Sequence, residues 1–208
     1  MTHEPPEFIY FDMGNVLVTF DESRAVRQIA EASGADADRV REILLDSGLQ
    51  RQYEEGRVSV EQVYETFCRE SGTKPDFHAL QHAASDMFEL NVPIVPLIVH
   101  LDAAEYRLGI LSNTCHSHWH HLRKRFRILK IYFDPVVLSY EVGAMKPDET
   151  MYQTAIDRAG VPAERIFFMD DRVENVEGAR RSGLDAVQFH SVTELAQQLR
   201  QRGVQFNY

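Results

Sequence analysis

The amino-acid sequence predicts an α/β fold: a doubly wound parallel sheet with helices on both faces and a small α-helical cap inserted after the first strand. Two observations carry that expectation. Short apolar runs without polar alternation suit strands buried on both faces, and helical patterns separate them. One long interval, from about residue 22 to 90, has helical periodicity and no convincing strand.

The first strand is Phe8-Ile9-Tyr10-Phe11, a run of β-formers that stops abruptly at Asp12. Four amphipathic stretches follow, "ESRAVRQIAEASG", "DADRVREILLDSG", "SVEQVYETFCRESG" and "DFHALQHAASDMFEL", and glycine closes three of them. Next come a helix over 93–104, a strand over "YRLGIL" at 106–111 and a helix over 116–126. A weaker strand, "PVVL" at 135–138, precedes a helix over 148–159 that begins at Asp148 and stops at Ala159-Gly160. "RIFFM" at 165–169 and "AVQF" at 186–189 complete the strands, with helices over 173–182 and 193–202. Residues 1–20 and 91–208 are thus expected to form the α/β core, and residues 21–90 the cap. Ligands in open α/β sheets bind beyond the carboxyl ends of strands, so a cap inserted after Asp12 would close over that carboxylate.

The whole chain narrows the chemistry. At 208 residues and 44% hydrophobic it can bury a real core. A net charge of −10 disfavours nucleic acid and anionic membrane as partners and favours a small molecule. Two cysteines, Cys68 and Cys115, without CxxC spacing fit a reducing cytoplasm better than a disulfide framework or structural zinc. The polar start Met1-Thr2-His3-Glu4-Pro5-Pro6 does not read as a signal peptide. "VPIVPLIVHL" at 92–101 is too short to span a bilayer and contains two prolines.

Four clusters of reactive residues fall at the carboxyl ends of these strands. Asp12 follows the first; alone, it would read as a turn or helix-capping aspartate. Ser112 and Asn113, in "LSNT" at 111–114, would alone read as caps of the next helix. Lys146 lies in "GAMKPD", a loop where a lone lysine is ordinarily a solvated charge. Asp170 and Asp171, in "FFMDDRVEN", adjoin at the end of a very apolar run, where two acids repel unless a cation lies near. The combination outweighs its parts and points to metal-assisted phosphoryl transfer. Asp12 and Asp171 would hold Mg²⁺, while Ser112, the Asn113 backbone and Lys146 would hold phosphate oxygens. The free oxygen of Asp12 would then attack phosphorus in line.

These clusters, in this order and with a helical insertion after the first, resemble the haloacid dehalogenase-like hydrolase superfamily over essentially the whole chain. The variant "DxGNV…LSNT…KP…DDxxxN" is most similar to its bacterial sugar-phosphate phosphatases of the α-glucose-1-phosphatase type. The resemblance implies a Rossmann-like core and a Mg²⁺-dependent phosphatase acting on small phosphate esters through an aspartyl-phosphate. It implies Asp12 as nucleophile and metal ligand, the Gly14 carbonyl and Asp171 as further metal ligands, and Asp170 and Asn175 as supports. It assigns phosphate binding to Ser112, Asn113 and Lys146, and a mobile turn and hairpin to the residues after "DMG". Two other readings stay open. A 2-haloacid dehalogenase would start from the same aspartate without a divalent cation, and a non-catalytic phosphate-ligand sensor would need no nucleophile.

The superfamily usually has a second aspartate, the general acid and base, where this chain has Gly14. A backbone carbonyl still serves a metal there, but the proton transfers lose a group worth about 10²–10⁴ in rate. Water, the substrate, or Asp21 at the far end of the expected hairpin would have to replace it. "CHSHWHHL" at 115–122 adds four histidines. His116 and His120 are spaced for one helix face and invite a metal reading, against the plainer reading of a partly exposed helix beside the phosphate site. His118 stands where related sequences often carry histidine, and is a candidate to approach the substrate.

Overall fold

The computed structural model describes residues 4–207; Met1-Thr2-His3, at the polar start, lies outside the described residues. Seven strands form two sheets among these residues: β1 Phe8–Phe11, β2 Val18–Phe20, β3 Phe88–Leu90, β4 Arg107–Ser112, β5 Val136–Leu138, β6 Ile166–Asp170 and β7 Asp185–Gln188. The main sheet is parallel throughout, in the order β5-β4-β1-β6-β7. The chain winds outward from β1 through β4 to β5, then returns to the other side of β1 for β6 and β7. Loops leaving β1 and β6 therefore diverge, and the crevice between them is where such a sheet receives a ligand.

Alternation along each strand explains why the apolar runs are continuous. Ile9, Phe11, Phe167 and Met169 point into one buried layer, with side chains of helices Val95–Ala103, His116–Arg125 and Val192–Gln201. Phe8, Tyr10, Ile166 and Phe168 point into the other, against helices Glu149–Ala159 and Val173–Arg181. Both faces are dry, and each fully buried Phe or Ile contributes about 1.5–3 kcal/mol. Gly109 interrupts β4 for a steric reason: a Cβ there would meet Tyr10 Cε1 at 2.5 Å and the Pro135 carbonyl oxygen at 2.7 Å. Helix boundaries follow their caps. Asp148 accepts from the Thr150 N–H at 2.9 Å, and Gly160 ends that helix at φ 68°.

Between Glu22 and Ser85 the chain is helical and has its own small core around Val40, Ile43, Phe67 and Leu80. Three details differ from the sequence reading. Residues 88–90, within the stretch read as lacking a strand, form β3 and pair antiparallel with β2, Val18 opposite Leu90. The expected hairpin directly after "DMG" is thus replaced by a ribbon joining the two connections into the cap. The second amphipathic stretch is also not one helix. It runs over Ala37–Arg41, passes through a wide turn in which the Ser47 N–H reaches the Glu42 carbonyl, and breaks at Gly48. A further helix, Leu49–Glu54, follows. Its Tyr53 hydroxyl lies 2.7 Å from Ser117 Oγ and accepts from the Ser117 N–H, docking the cap onto the core. Arg24 and Arg125 both bind Asp86, adding a second tie. No helix among the described residues is long and apolar enough to cross a membrane.

Candidate active site

At the carboxyl ends of β1 and β6 lies a cavity of about 260 Å³, roofed by the cap. Asp12, Gly14, Asn113, Lys146, Asp171 and Asn175 line it. Its centre is an ammonium with every proton assigned. Lys146 Nζ donates to Asp12 Oδ1 at 2.8 Å, to Asp170 Oδ2 at 2.6 Å and to the Leu111 carbonyl at 2.8 Å. Burial works against the charge on Lys146, yet Asp12 and Asp170 hold its pKa above the ordinary lysine value. The lysine's place is fixed by Asn113, which accepts from the Lys146 N–H at 2.8 Å and donates to the Lys146 carbonyl at 3.0 Å. Taken in isolation Lys146 would read as a loop charge, and together with the other clusters it is expected to bind phosphate; in the fold it is the buried link between two strand ends.

The acidic pair divides in two. Asp170 is fully buried, and its carboxylate receives Lys146, both contacts from Asn175 Nδ2 at 3.0 Å, and the Arg172 N–H at 2.9 Å. Its charge is balanced by lysine, so the repulsion expected between neighbouring acids is relieved from within the protein. Asp171 turns the other way, into the cavity, where Asn15 Nδ2 donates to its Oδ2 at 2.9 Å. Asn15 holds φ 55°, a left-handed conformation that asparagine tolerates, and the turn closes through the Asn15 N–H to the Val18 carbonyl at 2.6 Å. Its contact with Asp171, a partner 156 residues away, has no signal in local sequence.

Asp12, Asp170 and Asp171 each offer an oxygen within 4.8 Å of the others, and among the described residues no other such cluster of three or more acidic, His or Cys residues forms. Two of the three carboxylates, Asp12 and Asp170, share one lysine there. Burial pushes the Asp12 carboxyl up to about 7, with Lys146 pulling it down and Asp170 pushing it further up. A group so placed gains from a hard cation, and oxygen-only donors suit Mg²⁺. Asp12 and Asp171 both line the cavity and have the donor chemistry to hold that ion, and Gly14 lines the cavity with them.

Ser112 is buried, with its hydroxyl donating to the Asn113 carbonyl at 3.3 Å, and it does not line the cavity; Thr114 does. Asp21 lies outside as well. It caps the helix Glu22–Ser33 by accepting from the Arg24 N–H at 3.1 Å. His118 does line the cavity, but as a buried ring packed edge-on against Phe88, and burial lowers its pKa to about 4. It is a neutral wall. His116 and His120 stack at 6.1 Å outside the cavity, beside Tyr140. Sequence reasoning places substrate selection in the cap helices and the residues near 15–22 without singling out Asn15, Phe20, Glu22 or Glu54, all of which face the cavity.

Comparison with known proteins identifies the family and the fold. Residues 7–183 match the model of a hydrolase family, haloacid dehalogenase-like hydrolase. D-ribitol-5-phosphate phosphatase of Bacteroides thetaiotaomicron is 25% identical over 200 residues, covering 92% of this chain and 95% of that protein. Glyceraldehyde 3-phosphate phosphatase of Methanothermobacter thermautotrophicus is 32% identical over 97 residues, 45% of this chain and 42% of that protein. Among solved structures, the HAD family enzyme bt-2542 of B. thetaiotaomicron, in complex with magnesium and inorganic phosphate, superposes with a TM-score of 0.78 at 22% identity. That match covers 88% of this chain and 93% of the other. L-2-haloacid dehalogenase of Xanthobacter autotrophicus shares the fold at a TM-score of 0.63 and 19% identity, covering 96% and 84%. With a family match over most of its length and the same sheet carrying its aspartates, the chain belongs to the haloacid dehalogenase-like hydrolases.

Proposed function

We propose that the protein is a Mg²⁺-dependent phosphomonoesterase that cleaves small phosphorylated metabolites of the sugar-phosphate type through an aspartyl-phosphate on Asp12. The observation that carries the reading is the linkage of Asp12, Lys146 and Asp170, with Asp171 facing the same cavity. Lys146 orients one oxygen of Asp12 and favours its anionic form against burial, leaving Oδ2 on the Gly14 side. That carboxylate attacks phosphorus, the ester P–O bond breaks, and the alcohol oxygen leaves and takes up a proton. Water then attacks the phosphorus of the acyl-phosphate, releasing inorganic phosphate and restoring Asp12. Bound Mg²⁺ would supply charge neutralisation for the phosphoryl oxygens. The curated relatives named for ribitol 5-phosphate and glyceraldehyde 3-phosphate point to the same substrate class.

A dehalogenase would leave Asp171 and its Asn15 contact without a task, and a pure sensor would leave Asp12 without one. The free thiols Cys68 and Cys115 suit a reducing cytoplasm. The test is hydrolysis of 4-nitrophenyl phosphate with and without chelator, followed by mass spectrometry of acid-quenched enzyme. Activity should vanish in chelator and return with Mg²⁺, and a phosphoryl adduct should appear on Asp12 and be missing in Asp12→Asn. Full activity in chelator, or turnover retained by Asp12→Asn, would overturn the reading.

A further inference from the structure

The roof of the cavity has a chemistry unlike its floor. From the cap come Val26, Ile29, Leu44 and Leu45, three polar side chains, Glu22, Gln50 and Glu54, and no lysine or arginine. The two full cations that line the cavity, Lys146 and Arg172, belong to the core. Lys146 is committed to Asp12 and Asp170, and Arg172 to Glu174 at 2.8 Å. Glu54 is the singular group. It ends the helix Leu49–Glu54, half-buried, and its Oε1 accepts from Gln50 Nε2 at 2.9 Å. Neighbouring Glu55 is paired with Arg51 and Arg57, whereas among the described residues neither Glu54 nor Glu22 has an ion pair. The charged side chains acting most on Glu54 are Glu22 and Glu55, both acidic, while the nearby Arg51 and Arg57 are paired with Glu55. Burial, reinforced by Glu22 and Glu55, raises the Glu54 carboxyl above the ordinary glutamate value, with only the Gln50 hydrogen bond opposing.

We propose that Glu54, with Glu22 beside it, makes the cap a charge filter for the leaving group. The filter admits monophosphates whose alcohol portion offers a hydroxyl or ammonium hydrogen to Glu54, and excludes those with a second anionic group. A second carboxylate or phosphate under this roof would lose its water among aliphatic side chains, meet no cation from the cap, and face a carboxyl group. That penalty is greatest with Glu54 ionised; a protonated Glu54 offers an anion one O–H but no positive charge. A hydroxyl or ammonium, by contrast, gives that carboxylate a donor beyond Gln50.

The inference rests on the phosphatase reading, and the experiment separates the two. With Mg²⁺ present, hydrolysis of 4-nitrophenyl phosphate is inhibited in turn by glycerol 3-phosphate, phosphoethanolamine and 3-phosphoglycerate, which compete whether or not they are turned over. The first two should bind on the order of tenfold or more tightly than 3-phosphoglycerate. The two favoured probes distinguish hydroxyl from ammonium recognition. Glu54→Gln should narrow the gap, and Glu54→Lys should reverse the order, a gain that a misfolded variant cannot produce. Equal inhibition constants in the wild-type enzyme would overturn the inference while leaving the phosphatase reading intact. So would a cooperatively folding Glu54→Lys that keeps the wild-type order. No hydrolysis of 4-nitrophenyl phosphate at all would overturn both.

Discussion

The ring of Phe20 stands where a side chain on residue 14 would go: a Cβ built on Gly14 would lie 3.2 Å from Phe20 Cε1 and 3.9 Å from Asp12 Oδ2. An aromatic edge from β2 thus fills the place of the acid that the family usually carries beside its nucleophile. Phe20 is 39% exposed and packs edge-on against Phe88, so the ring can yield by a few tenths of an ångström.

The first prediction follows from that relationship. Without a carboxylate at residue 14, hydrolysis of the aspartyl-phosphate should limit turnover of good leaving groups, so rapid mixing with 4-nitrophenyl phosphate should show a burst of alcohol before slow steady turnover. Aryl, acyl and anomeric phosphates should outpace alkyl phosphates in the first step. Gly14→Asp combined with Phe20→Ala should raise the steady rate by about tenfold or more, a fraction of the 10²–10⁴ a placed acid–base supplies. Gly14→Asp alone should gain less, since the ring must first move. Absence of a burst, with equal rates for aryl and alkyl esters, would show that another group delivers the proton.

Lys146→Met should separate stability from catalysis. It leaves Asp12 and Asp170 buried without their cation, and removing one partner of a buried pair typically costs about 3–5 kcal/mol. The urea midpoint should fall accordingly, and millimolar Mg²⁺ should recover part of the loss by binding only the folded state. Asp12→Asn, which removes one of the clustered negative charges, should abolish turnover with little loss of stability. Equal destabilisation by both variants would contradict the charge balance described here.

Asn15→Ala should weaken Mg²⁺ binding, because it frees the Asp171 carboxylate and puts alanine at φ 55°. A loss of about 10–100-fold in metal affinity is the scale for removing a group that orients a ligand. Asn15→Gly relieves the backbone but not the lost hydrogen bond, so it should regain stability and not affinity. Titration calorimetry with Mg²⁺ and thermal melts on both variants read the two effects separately.

His118 gives the fold a pH dependence of defined sign. Burial lowers its pKa to about 4, against 6.5 for the free side chain, so the unfolded chain binds the proton more readily. Its contribution is fully present above about pH 6.5 and is lost as pH falls toward 4. That is about 3 kcal/mol for roughly 2.5 units at about 1.36 kcal/mol each. The difference in unfolding free energy between the wild type and His118→Phe should therefore slope between pH 4 and 6.5 and flatten above it. A difference independent of pH would mean that the ring is charged or exposed in the folded state.

Much of the molecule was legible in the chain itself. Continuous apolar runs such as Ile166-Phe167-Phe168-Met169, flanked by turn signals, suit strands covered on both faces, because every side chain is then buried. Glycine stops at Gly34, Gly72 and Gly160 mark helix ends through their left-handed backbone. Asp12, Asn113, Lys146 and Asp171 were recognisable as candidates because they follow strands in a fixed order, and the fold brings all four to one cavity.

What the sequence could not decide was direction and partnership. Asp170 and Asp171 are neighbours in the chain, yet alternation at the end of β6 sends one to Lys146 and the other to the cavity. Ser112 carries the right hydroxyl and lies buried outside the cavity. β2 and β3 are too short to announce themselves, three residues each, and exist because their pairing closes the two connections to the cap. Residue type and local period determined the sheet, the order of the motifs and their strand ends. Only packing across long sequence separations decided which side chains meet, because the contacts of Asn15 with Asp171 and of Lys146 with Asp12 span 156 and 134 residues.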